Sequence, residues 1–185
     1  MKVLMLGDSI TALTPTNLIN AEVDNKSLFG ATIKYVAKLL DDIDLKSYDK
    51  IILLAGINDF VLPTVYTELP SKTDEEIVNE LFALVQVLKE NSPAEIIVQS
   101  LYPIKTNHFD HNYSSSHINN MNSLIKKECK KQDAKYFDIH STLADENDNI
   151  KTKYFMDDGL HPNQLGYQVI CEKINNEIIN QKTKL

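Results

Sequence analysis

Three short, uninterrupted apolar runs constrain the fold of this chain more than any other feature. Val3-Leu4-Met5-Leu6, Ile51-Ile52-Leu53-Leu54 and Ile96-Ile97-Val98 contain no polar residue that could face water. A strand with one wet face alternates apolar and polar side chains, whereas a parallel strand covered on both faces reads as a continuous apolar stretch. These runs are therefore expected to be central strands of a parallel sheet. Between them Ile33, Val36, Ala37 and Leu40 recur at helical spacing, as do Ile77, Leu81, Leu84, Val85 and Leu88. Thr73 and Glu76 have the spacing of a capping box for the second helix, and Asn91-Ser92-Pro93 ends it. Further helices are expected from about Ser116 to Lys131 and from about Asn163 to Asn180, the latter with Leu165, Val169, Ile170, Ile174 and Ile178 inward, and a last strand at Tyr136-Phe137-Asp138-Ile139. Strands alternating with helices predict a three-layer α/β/α fold, because parallel strands need long crossovers and right-handed crossovers lay helices on the sheet.

At 185 residues, with 43% hydrophobic and 24% charged residues, the chain can bury one core and lacks the composition of a disordered segment. No repeat or linker interrupts the pattern, so residues 1–185 are expected to form a single domain. The formal charge of -7 repels phosphate polymers and anionic lipid, which disfavours nucleic-acid and stable membrane partners and leaves a small-molecule substrate. Cys129 and Cys171 fall on expected helices as apolar side chains, and no His/Cys cluster has zinc spacing, so neither a disulfide nor a metal is expected. The first apolar run is too short for a signal peptide and none is long enough to span a membrane, which predicts a cytoplasmic protein. Two long loops, about 61–72 and 103–115, are expected to wall a ligand site at the carboxyl ends of the strands.

Ser9 follows the first run in Gly7-Asp8-Ser9-Ile10-Thr11, where a hydroxyl can project from the sheet edge. The ordinary role of such a serine is to cap a helix, and Thr11 breaks the Gly-x-Ser-x-Gly pattern of an α/β-hydrolase elbow. A nucleophilic serine needs a base, and imidazole is the usual one. Of five histidines, His161 stands out in Asp157-Asp158-Gly159-Leu160-His161-Pro162, where a Gly-containing turn can return Asp158 to the ring; Asp157 is the weaker candidate. Without a catalytic role, the same hexapeptide is a surface turn opening a helix. His108, His111 and His117 sit in or beside a polar loop suited to solvent or substrate contact, and His140 has no partner motif. Gly56-Ile57-Asn58-Asp59 follows the second run, so Asn58 can offer a side-chain N–H to an oxyanion, although a plain turn is the commoner meaning. Gly30, before a helix, can present its backbone N–H or serve only a turn.

A serine, a glycine, an asparagine and an Asp-x-x-His thus fall on loops expected to share one edge. In this order Gly7-Asp8-Ser9, Gly30, Gly56-x-Asn58-Asp59 and Asp158-x-x-His161 resemble the four blocks of the SGNH (GDSL) hydrolase family across nearly the whole chain. Asp158-Gly159-Leu160-His161-Pro162-Asn163 followed by Leu165-Gly166-Tyr167 is the most specific piece. The resemblance implies a flavodoxin-like parallel sheet of about five strands and cofactor-free hydrolysis of esters or thioesters. Ser9, His161 and Asp158 would be the triad, with the Ser9 and Gly30 N–H groups and Asn58 as the oxyanion hole. A short-chain or carbohydrate acetylesterase is one expectation, a lysophospholipase or thioesterase another. From other classes, a phosphate-binding module would lack an activated serine and the Lys-bearing glycine loop, and a non-catalytic carbohydrate module would not turn over p-nitrophenyl acetate. No strand is evident between Ser9 and Gly30.

Overall fold

The computed structural model describes residues 1–105 and 115–181, together with the backbone at 107–108 and 111–112. The three apolar runs occupy β1 (Lys2–Gly7), β3 (Lys50–Leu54) and β4 (Glu95–Gln99). With β2 (Glu22–Ser27) and β7 (Lys135–Phe137) they form a five-stranded sheet in the order β2-β1-β3-β4-β7. Every neighbouring pair is parallel. Successive side chains on a strand point to opposite faces, and Val3 and Leu4, like Ile51 and Ile52, are all 0% exposed, so both faces of the sheet are covered. The separate strands β5 (Asn107–His108) and β6 (His111–Asn112) pair antiparallel.

Covering helices are α1 (Ser9–Ala12), α2 (Ile33–Lys38), α3 (Ile57–Val65), α4 (Asp74–Asn91), α5 (Ser115–Lys131), α6 (His140–Leu143) and α7 (Gln164–Ile174). The α4 capping box forms as its spacing predicts: Glu76 N–H donates to Thr73 Oγ1 at 3.2 Å, and Thr73 N–H donates to Glu76 Oε2 at 2.7 Å. Its stripe Ile77, Leu81, Leu84, Val85 and Leu88 is buried. Cys129 and Cys171 are free thiols buried on α5 and α7. Among the described residues no helix is long and apolar enough to cross a membrane.

Three local expectations are corrected. The strand missing from the stretch between Ser9 and Gly30 is β2, whose sequence Glu-Val-Asp-Asn-Lys-Ser carries one large apolar residue. It lies at the sheet edge, where backbone pairing with β1 from Lys2↔Glu22 to Gly7↔Ser27 holds it without an apolar pattern to announce it. The loop expected at 61–72 begins only after Val65, because α3 continues through Pro63; proline there removes one interior hydrogen bond without ending the helix. On α7, Leu165 points outward and is 46% exposed, while Tyr167 is buried in its place. The loop expected at 103–115 lies partly outside the described residues.

All five strands run the same way, so the segments that follow them share the carboxyl edge. Ser9 follows β1, Gly30 follows β2 and Asn58 follows β3 at that edge.

Candidate active site

Asp8, not Ser9, is the N-cap of α1: its Oδ1 accepts from Ile10 N–H at 2.9 Å. Ser9 is therefore the first helical residue and its hydroxyl is spared for another partner. That partner is His161, whose Nε2 lies 2.8 Å from Ser9 Oγ. On the other side of the ring, Nδ1 lies 2.7 Å from Asp158 Oδ2. Asp157 is exposed, and it is Asp158 that meets the imidazole.

The Asp158–His161 turn is held by its own backbone. Asp158 Oδ1 accepts from Leu160 N–H and His161 N–H, both at 2.9 Å, and Met156 N–H donates to the His161 carbonyl at 2.8 Å. Gly159 has φ +66°, and a Cβ there would stand 2.4 Å from Lys105 Cβ; a side chain would collide with the wall that follows β4. Lys105 N–H in turn donates to the Gly159 carbonyl at 2.8 Å. Burial raises the Asp158 carboxyl, but the Leu160 and His161 N–H donors and the imidazole outweigh it and hold Asp158 below its ordinary value. A carboxylate so held keeps its charge beside the ring.

Further contacts anchor the histidine segment, and one of them reaches the serine segment. Asn163 caps α7 through Gly166 N–H at 3.0 Å and donates to the carbonyls of Lys153 and Phe155. Tyr167 Oη donates to the Ile10 carbonyl at 2.8 Å, which ties α7 to α1 one residue beyond Ser9. Sequence reading found Tyr167 only as part of a signature; its partner is 157 residues away, and no local pattern reports such a distance.

Asn58 stands in the first turn of α3, with Gly56 as N-cap. It is 7% exposed, and its Nδ2 donates to the Ala31 carbonyl at 2.9 Å; among the described residues the second amide proton of the same nitrogen has no acceptor. Gly30 precedes Ala31 in the turn after β2. A Cβ on Gly30 would meet nothing within 4 Å, so close packing does not require glycine here; its φ of +70° does. Asp59, its side chain 1% exposed, accepts from Ile33 N–H at 2.9 Å and pairs with Lys72 at 2.9 Å. It thereby pins the start of α2 to α3 beside Asn58, a role its tetrapeptide could not reveal.

Asp8 is wholly buried, and its Oδ2 has no hydrogen-bond partner among the described residues. Burial pushes its carboxyl up to about 7, against the lowering by the Ile10 N–H and the His161 charge. Of the other histidines, His140 is buried, His117 pairs with Asp74, and the side chains of His108 and His111 lie outside the described residues.

A hydroxyl, an imidazole and a carboxylate in series, with an asparagine amide at the same sheet edge, can perform acyl transfer. Residues 5–169 match the GDSL-like lipase/acylhydrolase family. The chain belongs to that family. It is accordingly an ester-hydrolysing enzyme that acts on small-molecule substrates. The fold is shared with solved members. A GDSL-like lipase from Bacteroides thetaiotaomicron superposes with a TM-score of 0.81 at 18% identity, covering 96% of this chain and 87% of its own. A lipase/acylhydrolase from Enterococcus faecalis gives 0.77 at 18% identity, covering 96% and 94%. An acetyl xylan esterase, AlAXEase, gives 0.78 at 18% identity, covering 96% and 100%. A search of curated protein sequences found no match.

Proposed function

We propose that this GDSL-family enzyme is a single-domain serine esterase working through an acyl-enzyme, with Ser9 as nucleophile, His161 as base and Asp158 as its orienting carboxylate. The observation that carries the reading is the unbroken series from Ser9 Oγ to His161 Nε2 at 2.8 Å and from His161 Nδ1 to Asp158 Oδ2 at 2.7 Å. Ser9 Oγ attacks the ester carbonyl carbon as its proton passes to His161 Nε2. Asp158 receives the Nδ1 hydrogen bond and offsets the charge of the imidazolium. Negative charge gathering on the carbonyl oxygen is met by the N–H groups of Ser9 and Gly30 and by Asn58 Nδ2. Collapse expels the alcohol, which takes the proton from His161. Water then repeats the sequence on the acyl-enzyme, releasing the acid and restoring Ser9.

Within this reading the preferred substrate carries a short acyl group, acetyl foremost, on a polar alcohol such as a sugar. The segment Thr67-Glu68-Leu69-Pro70-Ser71-Lys72 after α3 is too polar to form an apolar lid. Leu28 and Phe29 support a second reading, with longer acyl chains, because they are 47% and 63% exposed beside Gly30. Hydrolysis of p-nitrophenyl esters from acetate to decanoate separates the two: rates falling steadily beyond butyrate support the first, and a maximum at eight carbons or more supports the second. Labelling of Ser9 by a fluorophosphonate probe tests the mechanism itself, since Ser9→Ala must abolish the adduct.

A further inference from the structure

His117 is held as firmly as a working imidazole yet stands outside the Ser9–His161–Asp158 series. Its Nδ1 lies 2.9 Å from Asp74 Oδ1, and the other oxygen of that carboxylate accepts from Asn120 Nδ2 at 2.7 Å. The Asp74 side chain is 10% exposed whereas that of His117 is 53% exposed. The ring also packs on Phe60, with centroids 5.3 Å apart and planes tilted by 38°. A half-exposed side chain ordinarily keeps its rotamer freedom; a sunken carboxylate and an aromatic neighbour remove it here. In the neutral tautomer that carries its proton on Nδ1 toward Asp74, Nε2 is an acceptor, and no side chain among the described residues engages it.

Topology puts this pair at the same sheet edge as Ser9 and Asn58. Because β3 and β4 are parallel, α4 must return from the carboxyl edge to the amino edge, so Asp74, its first residue, lies at the carboxyl edge. The same argument applies to α5 between the parallel strands β4 and β7, and His117 is in its first turn. Phe60 comes two residues after Asn58 on α3, and Lys72, two residues before Asp74, is paired with Asp59. His117 therefore stands at that edge, in contact with the helix that carries Asn58.

We infer that His117, set by Asp74, is a specificity-determining residue that accepts a hydrogen bond at Nε2 from a free hydroxyl on the alcohol part of the ester. This rests on the serine-esterase reading above. The substrate class is the ester of a neutral polyhydroxylated alcohol. An anionic alcohol is disfavoured, because Asp74 already supplies a negative charge to this imidazole and the chain carries -7 overall.

The test compares p-nitrophenyl acetate, whose leaving group has no second hydroxyl, with mono-O-acetyl-xylose in wild type, His117→Ala, His117→Gln and Asp74→Asn. The ratio of kcat/KM for acetyl-xylose to that for p-nitrophenyl acetate should fall about tenfold in His117→Ala, through KM, since a substrate hydroxyl loses one acceptor. His117→Gln, whose amide oxygen still accepts, should restore part of the ratio, and Asp74→Asn should lower it by loosening the ring. A ratio unchanged in His117→Ala overturns the proposal, as does an equal loss on both substrates, which would mark a structural clamp. A larger loss on an ester of an anionic alcohol, such as an acetylated glucuronic acid, also overturns it in favour of anion binding. Failure of the parent reading looks different: Ser9→Ala would then hydrolyse p-nitrophenyl acetate as well as wild type does.

Discussion

Ser9 Oγ and His161 Nε2 stand 2.8 Å apart although 152 residues separate them. Neither segment reaches the other by local structure: Ser9 is delivered by the end of β1, and His161 by a turn fastened to Lys105, Tyr154 and Phe155. The contact therefore reports the whole fold, and it sets the first expectation. Ser9→Ala and His161→Ala should each lower esterase kcat by about 10⁴-fold or more, and the double mutant should lose little beyond either. Steady-state kinetics on p-nitrophenyl acetate checks this, and strictly multiplicative losses would show that the two do not act as a unit.

Asn58 joins a catalytic proposal to a structural contact, so its replacement should leave two separable marks. Asn58→Ala should lower kcat by about 10²- to 10³-fold with little change in KM, if the free amide proton meets charge that develops only during attack. Loss of the bond to the Ala31 carbonyl should also cost about 1 kcal/mol of stability. Kinetics and melting measured on one preparation give both values. A well-folded mutant with wild-type kcat removes Asn58 from the oxyanion hole.

Asp8 should behave as a carboxylic acid that is tolerated neutral. Raised from 3.8 to about 7 by burial, it binds its proton more tightly in the folded state than in the unfolded one. Folding stability from this group is then greatest below the unfolded value, declines as pH rises between 3.8 and about 7, and levels off above, a span worth at most about 4 kcal/mol. Asp8→Asn keeps an oxygen for the Ile10 N–H and removes the titration. Its melting temperature relative to wild type should therefore climb with pH across that window, and its activity should stay within about tenfold of wild type. Asp8→Ala also loses the cap and should lie about 1 kcal/mol below Asp8→Asn at every pH. Melting curves from pH 4 to 8 decide between this and a permanently charged Asp8, for which the difference would stay flat.

Tyr167→Phe removes one hydroxyl, the link from α7 to the Ile10 carbonyl. That carbonyl still accepts from Thr14 Oγ1 at 3.3 Å, so the cost should be about 1 kcal/mol, or about 2–4 °C in melting temperature for a chain of this size. If Tyr167 also keeps Ser9 aimed at His161, kcat should fall about tenfold while KM is preserved. A loss of stability with unchanged kcat would confine Tyr167 to holding the fold.

What the sequence determined by itself was whatever leaves a local signature. Continuous apolar runs mark β1, β3 and β4 because strands covered on both faces admit nothing else. Thr73 and Glu76 mark the start of α4 because a capping box closes within four residues. The family blocks mark Ser9, Asn58 and the Asp158–His161 turn because each is a short stretch of fixed spacing. Tertiary structure decided the rest. β2 exists because β1 offers an open row of backbone groups, and an edge strand needs no apolar pattern to answer it. α3 passes through Pro63, with the Phe60 N–H bonded to the Gly56 carbonyl before it and Tyr66 N–H to the Leu62 carbonyl after it. Asp8 rather than Ser9 caps α1, because that choice depends on where a side chain points once the chain has turned. Periodicity and spacing encode burial and local hydrogen bonding; the contacts between Ser9 and His161, between Tyr167 and Ile10, and between His117 and Asp74 depend on distances that exist only after the sheet has assembled.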